Sequence, residues 1–197
     1  MAKIGLKHFR YAILTETNGT ATYGEVKTPA KAISCNVAIT NNSAMLYADD
    51  GLAESDTSFQ SGTATIGIDD DDLQTMADLL GHQYSAETGI KRNSSDTAPY
   101  VGFGRIVTRI KNGVRNYKVE FLRKVKFAEP SEENTTEGES VEFGTTTIEG
   151  TVATLVNGDW SDAQSFETEQ AAITYLEGLF TPQTTTQQTT TSQTTTP

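Results

Sequence analysis

The sequence predicts a mainly β protein that carries two short α-helices. Three observations indicate this class: apolar residues alternate with polar ones in several short segments, an Asn-Gly pair joins two such segments, and only two segments space their apolar residues as a helix does. Half-buried strands have a period of two and amphipathic helices a period near 3.6, so the patterns separate the two kinds of element. We therefore expect one β-rich core with helices packed against it.

The alternation is clearest in residues 31–39 and 63–68. In the first segment the apolar positions are Ile33, Cys35, Val37 and Ile39. In the second they are Ala64, Ile66 and Ile68. Each set lies on one side of a strand, which predicts that this side is buried. Cys35 is expected to be a small buried residue, and as the single cysteine it can form no intramolecular disulfide.

A tight hairpin is predicted between residues 104 and 127, with Asn112-Gly113 at its turn. Asn-Gly suits a two-residue turn because both positions need a positive φ. One face of the second strand is expected to be apolar, and the other carries charge. The apolar face comprises Tyr117, Val119, Phe121, Val125 and Phe127. A further strand pair is predicted at 141–143 and 145–156, ending at Asn157-Gly158.

Two helices are predicted. The first follows the acidic run Asp69–Asp72 and stops at Gly81, and its expected buried stripe comprises Leu73, Met76, Ala77 and Leu80. The second runs from about residue 168 to residue 180 with Thr168 as N-cap, and its stripe comprises Ala172, Ile173, Leu176 and Phe180. Residues 84–98 and 128–140 are rich in Ser, Thr and Glu, and we expect loops there.

The chain is predicted to form one domain over residues 1–180, followed by a tail at 181–197. The tail comprises ten Thr, four Gln, one Ser and two Pro, and it has no charged or large apolar residue. Such a segment buries too little apolar surface to offset the entropy of ordering it. We therefore expect residues 181–197 to be a disordered Thr/Gln-rich tail.

The net charge and the lengths of the apolar segments exclude some classes of function. The 26 Asp and Glu residues outnumber the 15 Lys and Arg residues, and the formal net charge is −11. This negative net charge disfavours a surface that binds many phosphates, as a nucleic-acid-binding protein does. His8 and Arg10 interrupt the first apolar run, so we expect no secretion signal and a cytoplasmic site of synthesis. No segment approaches the roughly 20 apolar residues of a membrane helix, so no membrane partner is predicted.

Candidate catalytic and metal-binding residues all have simpler interpretations. The run Asp69–Asp72 lacks the alternating ligands of a calcium loop and reads better as a helix start. Asp49 and Asp50 are adjacent, so on a strand they would point apart rather than act as an acid and base pair. His8 and His82 have no metal-ligand spacing to other ligands. The sequence therefore predicts no catalytic residue, no metal site, no cofactor and no enzymatic activity.

Two segments are candidates for contact between copies of the chain. The hairpin gathers cations, which we interpret either as a solvated face or as a surface for an acidic copy: Arg105, Arg109, Lys111, Arg115, Lys118, Arg123, Lys124 and Lys126. Residues 41–60 form a connection far longer than usual, and long connections are often functional. We expect an arm there, with Leu46, Tyr47 and Leu52 as anchors and with Asp49, Asp50 and Glu54 facing the basic hairpin of a neighbour.

Three separated segments resemble one protein family. They are residues 46–81, with "LYADDGLAESD"; residues 99–152, with "KVKF" and the later "TIEG"; and residues 157–180, with "NGDW" before a short helix. In this order they resemble the major tail proteins of long-tailed phages (siphophages), the tail tube subunits of the phi13 type. The likeness extends over nearly all of residues 1–180.

The resemblance implies a β-sandwich of the tail-tube fold, with one flanking α-helix and a short C-terminal helix. It implies a structural virion protein that forms hexameric rings, which stack into a tube conducting double-stranded DNA. The implied partners are further copies of the chain, the tape measure protein, the tail terminator and the distal tail protein. The implied location is the virion tail, assembled in the host cytoplasm. The alternative is a bacterial surface or adhesin-like β-sandwich binding module with a Thr-rich spacer.

Overall fold

Alternating side chains and tight turns fold most of the chain into antiparallel strands, and the predicted mainly β class is confirmed. The computed structural model describes residues 2–48, 51–70, 72–131 and 145–181. The strands are β1 (Ala2–Thr17), β2 (Thr20–Tyr23), β3 (Ala32–Asn41), β4 (Ala44–Ala48), β5 (Gly51–Asp56), β6 (Phe59–Ile68), β7 (Gln83–Ser85), β8 (Gly89–Lys91), β9 (Tyr100–Lys111), β10 (Val114–Phe127), β11 (Thr146–Val152) and β12 (Ser161–Phe166). The helices are α1 (Leu73–Leu80) and α2 (Glu169–Leu179).

Eight strands form one antiparallel sheet, in the order β2-β1-β9-β10-β11-β6-β3 with β12 also paired to β10. The predicted hairpin is its centre, and the φ angles of Asn112 and Gly113 are 51° and 79°, as the tight turn requires. One edge of β10 serves two partners in succession. It pairs with β12 from Tyr117 to Leu122, and then with β11 from Val125 to Phe127.

A bulge in β10 between Leu122 and Val125 divides the core in two. Before the bulge, Val119 and Phe121 pack with α2; after it, Val125 and Phe127 pack in a second cluster with β6, β11 and α1. The prediction that all five apolar residues of β10 share one face was therefore wrong, because an inserted residue shifts the alternation by one. The central strands are consequently covered on both faces.

The helices begin and end where the sequence predicted. Asp72 caps α1 by accepting the Thr75 N–H at 3.0 Å, and Gly81 ends it with a φ of 79°. Thr168 caps α2 by accepting the Ala171 N–H at 3.3 Å. The expected stripe of α1 was wrong at Leu73, which is 47% exposed because it lies in the first turn. Leu79, at 1% exposure, contributes to the core instead.

Strand β3 departs from the predicted burial. A bulge between Ala32 and Ser34 interrupts its pairing with β6, and Ile33 and Ile39 are 48% and 38% exposed. Cys35 and Val37 are half-buried against the core. The strand was predicted correctly, but its position at the end of the sheet leaves much of its apolar face uncovered.

Three further expectations have mixed outcomes. The predicted loop at 84–98 begins with the small hairpin of β7 and β8, and β12 was not predicted at all. Of the second predicted strand pair, 145–156 is observed as β11, whereas 141–143 lies outside the described residues. Residues 182–197 also lie outside them, so the division into a domain and a tail stays a prediction.

Within the ranges that the structure describes, neither helix has the length and apolar character needed to cross a bilayer.

Candidate assembly surfaces

The predicted arm is a two-stranded ribbon that continues the ladder of β3 and β6. The N–H of Asn42 donates to the carbonyl of Ser58 at 2.8 Å, and β4 then pairs with β5. In this register Leu46 lies opposite Glu54 and Tyr47 opposite Leu52, while Asp49 and Asp50 lie outside the described residues. Within the described chain β4 and β5 form a sheet of their own. We call residues 42–58 the acidic ribbon.

The acidic ribbon belongs to a long segment without Lys or Arg. Residues 32–90 contain ten Asp and Glu residues and no Lys or Arg. Four of the ten carboxylates are in the ribbon itself, at Asp49, Asp50, Glu54 and Asp56. No Lys or Arg of this segment can therefore pair with these carboxylates, and the ribbon has no cationic residue of its own.

Positive charge is concentrated at one end of the central strands, where the start of β1, the end of β9 and the start of β10 are neighbours. Lys3 of β1 lies directly across from Arg109 of β9, and Arg109 lies across from Asn116 of β10. Lys111 and Arg115 flank the Asn-Gly turn. We call Lys3, Arg109, Lys111 and Arg115 the basic end. Lys3 was missed by the sequence reasoning, because only the pairing of β1 with β9 brings it to the hairpin.

The structure divides the predicted cations of the hairpin into two groups. Four of them are already paired with carboxylates inside the chain: Arg105 and Lys118 with Glu120, Arg123 with Asp162, and Lys124 with Glu16. Burial raises the pKa of Glu120, but hydrogen bonds and charges from Lys118 and Arg105 outweigh it and leave this pKa below its usual value. These paired cations hold the sheet together and are poorly placed to recruit a partner.

The remaining cations have no carboxylate partner among residues 2–48, 51–70, 72–131 and 145–181. They are Lys3, Arg109, Lys111, Arg115 and Lys126, and Lys126 lies 5.5 Å from the ring centroid of Tyr100. In addition, Nε of Arg109 and Oδ1 of Asn116 are buried and lack a hydrogen-bond partner in this part of the chain. Like charges directly opposite each other in a ladder are destabilising. The basic end therefore carries positive charge that no carboxylate of the described residues compensates.

A cleft of about 320 Å³ lies between β3 and the central strands, with Lys3, Cys35 and Arg105 in its wall. Arg105 contacts the sulfur of Cys35, yet burial dominates and raises the pKa of the thiol. A protonated thiol is a weak nucleophile and a weak metal ligand. In the described ranges, no group of three or more His, Cys, Asp or Glu side chains is arranged to hold a metal ion.

The comparisons with known proteins add no family to this description. Neither a scan against protein-family models nor a search of curated proteins finds a match for the chain.

Proposed function

We propose that this protein is the tail tube subunit of a long-tailed phage. Copies associate as hexameric rings, and the rings stack into a tube that conducts double-stranded DNA. The observation that carries the proposal is the acidic ribbon, a two-stranded extension that no third strand of the described chain supports. An isolated two-stranded hairpin is at best marginally stable in water. Contact with a neighbouring copy supplies the missing support.

The charges favour one geometry of association. The ribbon is acidic and the basic end is cationic, so one surface of a copy complements a different surface of the next copy. Such head-to-tail contacts generate rings when the rotation closes. The resemblance of residues 46–81, 99–152 and 157–180 to siphophage major tail proteins supports hexameric rings in a tube rather than another closed assembly. Tape measure, terminator and distal tail proteins are then the partners along the tube and at its ends.

The overall charge suits a passage for DNA. A formal charge of −11 per copy disfavours tight binding of phosphates, whereas a cationic wall would bind DNA with strongly salt-dependent affinity. We therefore propose that the wall of the tube is mostly acidic and that the unpaired cations are used between copies.

Electron microscopy of the purified protein, combined with sedimentation velocity, tests the proposal. We expect rings or tubes that dissociate as the salt concentration rises from about 0.05 M to about 1 M, because salt screens the contacts between exposed charges. Monodisperse monomers at every salt and protein concentration would contradict the proposal and favour the alternative, a surface-located binding module.

A further inference from the structure

His82 joins three segments of the chain through one imidazole ring. It follows Gly81 at the end of α1, and its side chain is only 7% exposed. Nδ1 lies 2.8 Å from Oδ2 of Asp96, in the connection between β8 and β9. Nε2 contacts Oε1 of Glu129, which follows the end of β10. Both ring nitrogens therefore face carboxylates.

The two carboxylates are held to different degrees. Asp96 also accepts the N–H of Asn93 at 2.8 Å, and its neighbour Thr97 lies directly against Gly81. A Cβ at Gly81 would lie 2.2 Å from the Thr97 carbonyl oxygen, so this connection cannot move away from α1 without breaking a close contact of the backbones. Glu129, in contrast, is on an exposed stretch of chain, and its side chain is 51% exposed.

The chemistry of the ring determines when both contacts are favourable. A neutral imidazole has one N–H donor and one acceptor, whereas the imidazolium ion has two donors. Two carboxylate oxygens are acceptors only, so both contacts form hydrogen bonds only when His82 is protonated. Burial lowers the pKa of His82, but hydrogen bonds and charges from Asp96 and Glu129 outweigh it and raise this pKa. The hydrogen bond from His82 lowers the pKa of Asp96.

Other charged groups border this site. Nε of Arg92 lies 3.8 Å from Oε1 of Glu129, and Lys91 of β8 is the ladder partner of Gln83, the residue after His82. Both cations oppose protonation of the ring, although Arg92 also shares the charge of Glu129. Asp78 of α1 is engaged by Lys27 and Tyr11 instead. The contacts with Asp96 and Glu129 outweigh burial and leave the pKa of His82 raised.

We propose that His82 is a pH-operated clamp that holds the chain leaving β10 against the end of α1 when the ring is protonated. When the ring loses its proton, the remaining N–H stays with the well-held Asp96, and Glu129 is released because it then faces a lone pair. The device depends on this geometry alone and not on the assembly proposed above. No other described contact ties the Glu129 side chain to α1.

The direction of the pH dependence follows from the pKa shifts. His82 has a raised pKa in the folded chain, so its contribution is complete below its ordinary value of 6.5 and is lost as the pH rises through the raised value. Asp96 has a lowered pKa, so its contribution is complete above its ordinary value of 3.8 and is lost as the pH falls through the lowered value. The clamp operates between these limits.

Nuclear magnetic resonance of the imidazole nitrogens of the full chain tests the clamp. We expect His82 to titrate above its ordinary value of 6.5 and to carry protons on both nitrogens below its raised pKa. Glu129→Gln removes one carboxylate from an exposed position and is expected to lower the pKa of His82. The matched control is Glu87→Gln, which changes an exposed carboxylate of the neighbouring β7–β8 hairpin and should leave His82 unchanged.

Nuclear Overhauser effects between side chains measure the release itself. We expect the effect between the His82 ring and the Glu129 side chain to weaken as His82 deprotonates, while the effect between the ring and Asp96 persists. The amide of Ala128 donates to the Glu149 carbonyl at 2.9 Å, so its hydrogen exchange should stay slow and serves as the control for general unfolding. A His82 pKa at or below its ordinary value of 6.5, or one that Glu129→Gln leaves unmoved, would overturn the proposal. Equal loss of the contacts to Glu129 and to Asp96 would also overturn it.

Discussion

Lys3 of β1 and Arg109 of β9 occupy directly opposite positions in the central ladder, and neither cation has a carboxylate partner in the described chain. Two like charges in this arrangement cost the isolated subunit stability. The cost is removed if a neighbouring copy brings carboxylates to the same place. Stability of the subunit and assembly therefore respond in opposite directions to changes at Arg109.

The double substitution Arg109→Glu and Lys111→Glu is expected to abolish assembly without weakening the fold. A Glu at 109 faces Lys3 as a favourable pair, which stabilises the subunit by roughly 0.2–1 kcal/mol. The same change repels the acidic ribbon of a neighbour. Sedimentation velocity measures assembly, and thermal unfolding by circular dichroism measures stability. Lys91→Glu, on the separate β7–β8 hairpin, is the control and should leave assembly intact.

The double substitution Tyr47→Ala and Leu52→Ala is expected to give folded, soluble protein that forms no tubes. These residues are ladder partners in the ribbon, and loss of a buried anchor at an interface commonly costs about 2 kcal/mol or more. A ring repeats that loss at every contact. Val156→Ala removes a 72% exposed apolar residue elsewhere and serves as the control. Normal polymerisation of the double variant would show that the ribbon is only a surface hairpin.

Gly81 and Gly113 have the same φ of 79°. Substituting each by Ala therefore distinguishes the cost of backbone strain from the cost of a steric clash. Gly113→Ala meets no atom within 4 Å, so it should cost only the left-handed conformation, about 1–2 kcal/mol. Gly81→Ala carries the same strain and also drives a Cβ into the Thr97 carbonyl, which adds roughly 1–3 kcal/mol. Urea unfolding at neutral pH compares the free energies of unfolding. Equal losses in both variants would refute the close approach of Gly81 to Thr97.

Glu120→Gln is expected to destabilise the subunit at neutral pH by roughly 1–3 kcal/mol, because Arg105 and Lys118 lose their charged partner. Since the pKa of Glu120 is lowered in the folded chain, its contribution is present above its ordinary value of 4.5 and disappears as the pH falls through the lowered value. The difference in unfolding free energy between wild type and variant should therefore shrink on acidification. A difference that is constant from neutral to acidic pH would contradict the role of charge.

Removal of residues 182–197 is expected to change neither folding nor assembly. The segment has no charged or large apolar residue with which to pack. A chain that ends at Thr181 should match the full chain in its melting temperature and in the tubes seen by electron microscopy. Loss of tubes from this shorter chain would assign the tail a part in assembly.

Elements whose ends are set by local chemistry were predictable from the sequence. Asp72 and Gly81 bound α1, Thr168 begins α2, and Asn112-Gly113 makes the central turn, since each acts through its own backbone conformation or a hydrogen bond a few residues away. Strand β12 was not predictable in this way. Its sequence "SDAQSF" has no apolar alternation, and it is a strand only because β10 offers it an edge.

Features that depend on pairing between distant segments could not be predicted from the sequence either. The bulge in β10, which divides the core, is marked in the sequence only by the adjacent apolar pair Phe121-Leu122 before Arg123-Lys124, and this break does not show which strands pair on either side of it. Lys3 joins the basic end through the pairing of β1 with β9, and His82 meets Asp96 and Glu129 through the packing of three connections. The cations of the hairpin were found from the sequence. Which of them are unpaired depended on partners such as Glu16 and Asp162, which are distant along the chain.

The pairing of β1 with β9 also sets an order of events during synthesis. Ala2 is the ladder partner of Ile110, so β1 leaves the ribosome with only the short β2 available to it until β9 has been made. At about 5–20 residues per second this interval is roughly 5–20 s. During it, the acidic residues 32–90 have largely emerged, but the surface that combines Lys3 with Arg109 does not yet exist. Under the proposed assembly, a chain at this stage therefore presents only one of the two complementary surfaces, and two such chains on one messenger RNA cannot join to each other during this interval.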